Sequence, residues 1–146
     1  HASGADEIPR SEVPATAGRD ALTIAFVHEG IGGYPLVLLH GYPETKRVWW
    51  RNIDALVAAG YEVIAPDLRG FGDSDKPEGP FGPDQQAADM LALMDALGLA
   101  QAGIVGHDVG GALMQPLARL APERIAGLFF FGFVYPGIGR RVAGPE

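Results

Sequence analysis

Gly106-His107-Asp108-Val109-Gly110 closes an apolar run, and the small residues Gly111 and Ala112 follow at once. The pattern G-x-D-x-G sets one ionisable carboxylate, Asp108, between glycines. A sharp strand-to-helix turn of this kind forces its central residue into a strained backbone conformation. Its neighbours must be small, because side chains at Gly106 or Gly110 would clash. The central side chain then stands exposed at the tip, where the amides and dipole of the following helix stabilise a negative charge. A carboxylate held that way is already ionised at neutral pH. It can attack carbon with no base to remove a proton first. The same five residues also suit an Asp that caps a helix. Taken alone, the pattern leaves both readings open.

Two other stretches could share a site with it. "HGYPE" (40–44) follows Leu39, and "DLRGFGDSD" (67–75) follows Pro66. Each leaves the end of an apolar run, as "HDVGG" does after Val105. In a doubly wound sheet such loops converge on one crevice at the carboxyl ends of the strands.

The elements that must position these loops can be read along the chain. "ALTIAFVHEG" (21–30) alternates loosely and is rich in β-formers. "GIGGYP" is a glycine turn into "PLVLLHG" (35–41), a short continuous apolar run. The pair predicts a hairpin whose second strand is buried on both faces. Val48, Trp49, Ile53, Leu56 and Val57 fall at helical spacing, and Gly60 stops that helix. "YEVIAPD" (61–67) is a further buried strand, followed by a loop dense in Gly, Pro and Asp. Asp84 as N-cap, a stripe of Ala87, Met90, Leu91 and Met94, and a stop at Gly98 define a second helix. "AGIVGHD" is the next strand. "VGGALMQPLARLAPER" reads as a helix kinked at Pro116, and "IAGLFFFGFVYPG" (125–137) as a last strand.

The order β-β-α-β-α-β-α-β implies an α/β fold, a mostly parallel sheet with helices on both faces. Residues 1–20 lack periodicity and read as a poorly ordered lead-in or edge segment. "GLFFFGFV" is apolar on both faces. It is expected to be an interior strand with neighbours on either side, since a bare aromatic edge invites aggregation.

Bulk properties narrow the field. The chain has 146 residues, a hydrophobic fraction of 47% and a formal net charge of -7. That suits one globular domain and favours neither nucleic acid nor an anionic membrane as a partner. There is no cysteine, so disulfides, thiolate metal sites and a Cys nucleophile are excluded, and a reducing, cytoplasmic setting is expected. No apolar run approaches the ~18 residues that span a bilayer. "GFGDSD" lacks the third Gly of a dinucleotide fingerprint. Asp73 and Asp75 suggest a calcium loop only until Glu78 stands where Gly is required. That loop is expected to be a solvated turn. No metal and no cofactor are expected.

"HGYPETKRVWW", "DLRGFGDSDKP" and "GHDVGG", in this order and spacing, resemble the α/β-hydrolase superfamily. The closer resemblance is to its Asp-nucleophile branch of epoxide hydrolases and of haloalkane and haloacid dehalogenases. It spans roughly residues 20 to 137, read as the N-terminal part of an α/β-hydrolase core (21–137). Residues 138–146 are then the start of a cap linker. Most hydrolases of this fold carry Ser where this chain has Asp108. The resemblance implies that Asp108 is the nucleophile and that the backbone amides of Tyr42 and Val109 form the oxyanion hole. His40, Gly41, Pro43, Gly106, His107 and Gly110 support the site. His40 braces the loop, Pro43 sets its shape through a cis bond, and His107 points away from the tip. Trp49 and Trp50 are candidates to line the substrate crevice, with core packing as the alternative.

Within the branch, haloalkane dehalogenases place Trp after the nucleophile, and many place Asn at the third position of the "HG-x-P" loop. Fluoroacetate dehalogenases place Arg after the nucleophile and three residues further on. This sequence has Val109, Tyr42 and Ala112 at those positions. The resemblance therefore implies an epoxide hydrolase acting on a small apolar epoxide. A dehalogenase acting on an organic halide is the alternative, and a catalytically silent hydrolase-fold binding protein is a second. The family's base His, its acid and its cap tyrosines follow the last strand read here. The histidines of this chain are His1, His28, His40 and His107. The expectation is a fragment: the N-terminal half of the core, without cap domain or last strands. Its C-terminal half is then a missing segment or a separate chain; a homodimer is left open.

Overall fold

The computed structural model describes residues 22–79 and 82–132 in full and the backbone of 10–13. The first nine residues, the rest of the lead-in before Leu22, and the expected cap linker (138–146) lie outside the described residues, as do residues 133–137 of the expected last strand. The chain runs β1 (Arg10–Val13), β2 (Leu22–Glu29), β3 (Tyr34–Leu39), α1 (Trp50–Ala58), β4 (Tyr61–Pro66), α2 (Pro83–Ala96), β5 (Ala102–His107), α3 (Val109–Ala112), α4 (Met114–Leu120) and β6 (Ile125–Phe131). The lead-in thus contributes an edge strand.

The six strands form one sheet in the order β1-β2-β4-β3-β5-β6. β4, β3, β5 and β6 are parallel, while β2 pairs antiparallel with both β1 and β4. The expected hairpin between β2 and β3 does not form. β4 lies between them and pairs antiparallel with β2, Phe26 opposite Pro66. The physical reason is that β3 is apolar on both faces. It gains more from two parallel neighbours, β4 and β5, than from one antiparallel neighbour at an edge.

Alternation along the strands splits the core in two. Val37, Leu39, Ile64, Ala102 and Ile104 face α2 and α4, where Ala87, Met90, Leu93, Met94, Met114 and Leu117 pack on them. Leu38, Val63 and Ala65 face the other way, towards Trp49 and Ile53. Helices therefore cover both faces, as the alternating order requires.

The helices depart in detail from the sequence reading. α2 starts after Gly82 with Pro83 in its first turn, and Asp84 lies inside that turn rather than capping it. A Pro pre-set for the first helical position wins over the side-chain cap. The segment after β5 is broken into α3 and α4 at Leu113. Pro116 has no amide to give the Ala112 carbonyl, and its ring crowds that carbonyl, which breaks the helix there. Among the described residues β6 pairs on one side only, with β5. Leu128, Phe129, Phe130 and Phe131 are exposed, Phe129 by 63%.

Candidate active site

The chain leaves β3 for β4 on one side and later returns across β3 to β5 on the other. The carboxyl ends of β3 and β5 thus flank the point where the topology reverses, where such sheets bind ligands. "HGYPE" leaves the first of these ends and "HDVGG" the second.

Asp108 has φ +54° and ψ -115°, and among the described residues it is the one non-glycine with positive φ. The sequence leaves it no other choice. A Cβ on Gly106 would lie 2.6 Å from the Gly110 carbonyl, and one on Gly110 would overlap the Leu39 carbonyl. The turn can close only with the strain placed on the residue between. Asp108 stands just before α3 but makes no side-chain cap bond in that helix. Its Oδ2 accepts from the Tyr42 amide at 3.0 Å. The capping alternative is not realised. The Tyr42 amide first, then the Val109 amide, hold the Asp108 carboxyl below its usual range, and partial burial opposes them. With four residues in α3, these individual amides matter more than a helix dipole.

Tyr42, 68% exposed, precedes Pro43 through a cis peptide bond. Gly41 allows the turn to approach the elbow. A Cβ on it would meet the Asp108 Cβ at 2.5 Å and Glu44 Oε1 at 2.8 Å. Glu44 joins the two loops, because its Oε1 accepts from the Gly41 amide at 3.0 Å and pairs with His107 Nδ1 at 2.9 Å. His107 stacks on Phe131, with ring centroids 4.9 Å apart. Its contacts run to Glu44 and Phe131, on the flank of the elbow.

The loop after β4 underpins both. His40 is fully buried. It donates from Nδ1 to the Gly41 carbonyl at 2.8 Å, and its Nε2 accepts from the Leu68 amide at 3.0 Å. Burial pushes its pKa down, so the ring stays neutral and braces the turn. Asp67 Oδ1 accepts from the Lys46 amide at 2.8 Å, and Oδ2 pairs with Lys46 Nζ. Arg69 binds Asp89 of α2 through both carboxylate oxygens, at 2.5 and 2.7 Å. Ser74 donates to the Asp67 carbonyl at 2.7 Å and accepts from the Ala25 amide at 2.9 Å. The expectation of a solvated turn holds at Asp73, Asp75 and Glu78, which are exposed, but the base of the loop is not solvated. Asp67, Leu68, Arg69 and Ser74 are all buried, which their paired charges and satisfied hydrogen bonds permit. Asp73 faces Lys46, and Asp75 accepts from the Thr23 amide.

Trp49 lies in the core beneath the sheet with Val27, Leu38 and Ile53, and Trp50 packs against the same cluster. Both serve packing on the α1 side. The Trp49 indole N–H is buried without a hydrogen-bond partner among the described residues. The sequence reading gave no role to Glu44, Lys46, Asp67 or Arg69. A Lys so close to a buried Trp was the one available signal for the second of these.

A profile of the alpha/beta hydrolase fold matches residues 34–133. That span runs from the start of β3 past the end of β6 and includes all three loops. The chain belongs to the alpha/beta hydrolase fold family. Over 108 residues this alpha/beta hydrolase chain is 42% identical to a soluble epoxide hydrolase from Corynebacterium sp. (strain C12), a match covering 73% of this chain and 36% of that protein. The crystal structure of epoxide hydrolase A from Mycobacterium thermoresistibile superposes with a TM-score of 0.74 at 34% identity, over 85% of this chain and 39% of that one. A thermophilic esterase from Thermogutta terrifontis superposes with a TM-score of 0.78 at 32% identity, over 84% of this chain and 44% of that one. The alpha/beta hydrolase chain spans about a third of the length of the curated relatives it matches. Among the described residues, no helix is long and apolar enough to cross a membrane.

Proposed function

We propose that this chain carries the nucleophile of an epoxide hydrolase, with Asp108 opening the ring of a small apolar epoxide. One observation supports this above the others: an accessible, ionised carboxylate at a strained elbow, with Oδ2 on the Tyr42 amide. The remaining oxygen attacks a ring carbon. The C–O bond breaks, ring strain is released, and an alkyl ester forms on Asp108. The ring oxygen leaves as an alkoxide and needs a proton. Water then attacks Cγ of the ester, and charge builds on the oxygen already held by the Tyr42 amide, with the Val109 amide beside it. The diol leaves and the carboxylate is restored.

The chemistry of the nucleophile favours alkyl carbon over an acyl group. A carboxylate attacking an ester carbonyl would give an anhydride, of higher energy than the ester it replaces. Attack on a strained ring carbon runs downhill. A departing halide would need donors of its own, and the Val109 side chain offers none.

The second step needs a base for the water. His28, His40 and His107 are engaged with Glu62, with Gly41 and Leu68, and with Glu44. We place the base, its acid partner and the proton donor for the alkoxide in a C-terminal portion of the same hydrolase. Support comes from the third of the relatives' length that the chain spans, and from the side of β6 that pairs with no strand among the described residues. An apolar groove of about 270 Å³ beside β6, lined by Tyr34, Leu36, Tyr61, Val105 and Phe129, is where that portion would pack. The test uses the whole protein with styrene oxide and, separately, a haloalkane. Diol without halide release supports the epoxide reading. Halide release without diol overturns it in favour of a dehalogenase.

A further inference from the structure

Tyr42 is exposed, and its turn stands proud of the core. Besides the Glu44 tether to His107, the two feet of the turn anchor it and help to set the direction of its amide. The first foot is His40, held by the Leu68 amide. The second is Lys46, held by Asp67, the residue immediately before Leu68. Between the feet, Glu44 donates its amide to the Gly41 carbonyl at 3.0 Å and closes the bend.

The second foot has an unusual composition. Lys46 is 1% exposed and Asp67 is fully buried. Lys46 Nζ also reaches Asp73 Oδ2 at 2.9 Å, and the Asp73 amide donates to Asp67 Oδ2 at 2.9 Å. A buried ion pair adds little to stability over an apolar pair of the same volume. What it supplies is a fixed geometry with several directional bonds. Here those bonds run between the loop after β4 and the turn that carries Tyr42.

We propose that Lys46 is a positioning residue: with Asp67 it locks the far foot of the 40–46 turn so that the Tyr42 amide points at the Asp108 carboxylate. The inference rests on the reading of that amide as an oxyanion donor. Lys46 touches neither Asp108 nor substrate, and it acts through the turn.

The test is the titration of the Asp108 carboxyl, followed by carbon-13 NMR in the full chain. The double variant Lys46→Met/Asp67→Asn removes the ion pair without changing net charge, and leaves the backbone amide of position 46 an acceptor at position 67. Lys46→Arg keeps the charge and changes the reach. Leu93→Ala, on the core face of α2, is the control for lost stability alone. In the native protein Asp108 is expected to titrate below the ordinary carboxylate range. In either Lys46 variant that folds, its midpoint is expected to rise by about half a pH unit or more. Exchange of the Tyr42 amide proton is expected to quicken about tenfold, while Leu93→Ala leaves the Asp108 midpoint where it was. An unchanged midpoint in a folded Lys46 variant overturns the positioning role, as does an equal rise in Leu93→Ala. A native midpoint in the ordinary range overturns the oxyanion contact itself. No substrate is involved, so the result is separate from whether epoxides are opened.

Discussion

The Tyr42 amide lies 3.0 Å from Oδ2 of Asp108, although 66 positions separate the two residues in the chain. They meet because β3 and β5 are adjacent and parallel, with Leu39 opposite Gly106. Each strand releases its loop at the same end of the sheet. The donor and the charge it stabilises are therefore in place before any substrate arrives, which is what preorganised electrostatic stabilisation requires.

Strain at the elbow has a measurable consequence. With φ +54° at position 108, a Cβ is a liability whatever the side chain does. Asp108→Gly and Asp108→Ala both lose the carboxylate, so their difference isolates the backbone. The Gly variant is expected to be the more stable by about 1–3 kcal/mol in urea unfolding. At an ordinary helical position the order is reversed, and finding that order here would remove the strained elbow.

Packing around the elbow is equally testable. Gly110→Ala drives a methyl group into the Leu39 carbonyl, and backbone on both sides must shift. A loss of about 2–3 kcal/mol is expected, read from the urea midpoint. A midpoint within error of the native value would mean that the turn has room to spare.

The Arg69–Asp89 pair joins the loop after β4 to α2 and is buried on both sides. The neighbouring carboxylate holds the Arg69 guanidinium above its already high pKa. Asp89→Ala leaves a buried charge without a partner and should cost about 3–5 kcal/mol. Arg69→Met/Asp89→Leu removes both charges and should recover most of that loss. Equal instability in the single and double variants would show that packing, not charge, sets the cost.

His40 gives the protein a pH dependence in a defined window. Burial lowers its folded-state pKa below the ordinary value of about 6.5. Between those two values the unfolded chain binds a proton that the folded chain does not. Stability is thus expected to fall as pH drops from about 6.5 towards the lowered value. The depressed Asp108 carboxyl acts in a separate acid window. Its contribution is present above about 3.9, the unfolded value, and is lost as pH falls through the lower folded pKa. Urea midpoints at pH 7.5 and 5.5 test the first window. His40→Gln should flatten that slope, and an unchanged slope would assign it to another group.

The legible features of this chain were local ones. Gly106, Gly110 and Asp108 announce their turn because its sterics involve only neighbours in sequence. Apolar runs and glycine stops gave the strands and helices for the same reason. Partnerships across the chain were not legible. No periodicity says that β4 inserts between β2 and β3, since that choice depends on both faces of β3 being filled. Lys46 and Asp67 meet across 21 positions, and each alone reads as surface charge. The loop at 67–75 looks polar and solvated in sequence, and Asp73 and Asp75 are exposed, yet Asp67 and Arg69 are buried in ion pairs that support the site from below.

The covalent step is the most direct measurement. The whole protein is mixed with styrene oxide, quenched rapidly in acid, digested and mapped by mass spectrometry. The peptide containing Asp108 is expected to gain the mass of the epoxide, and the same peptide from Asp108→Asn is expected to gain nothing. An adduct at another residue, an adduct that persists in Asp108→Asn, or diol formation that survives that substitution would contradict the assignment of Asp108 as the nucleophile.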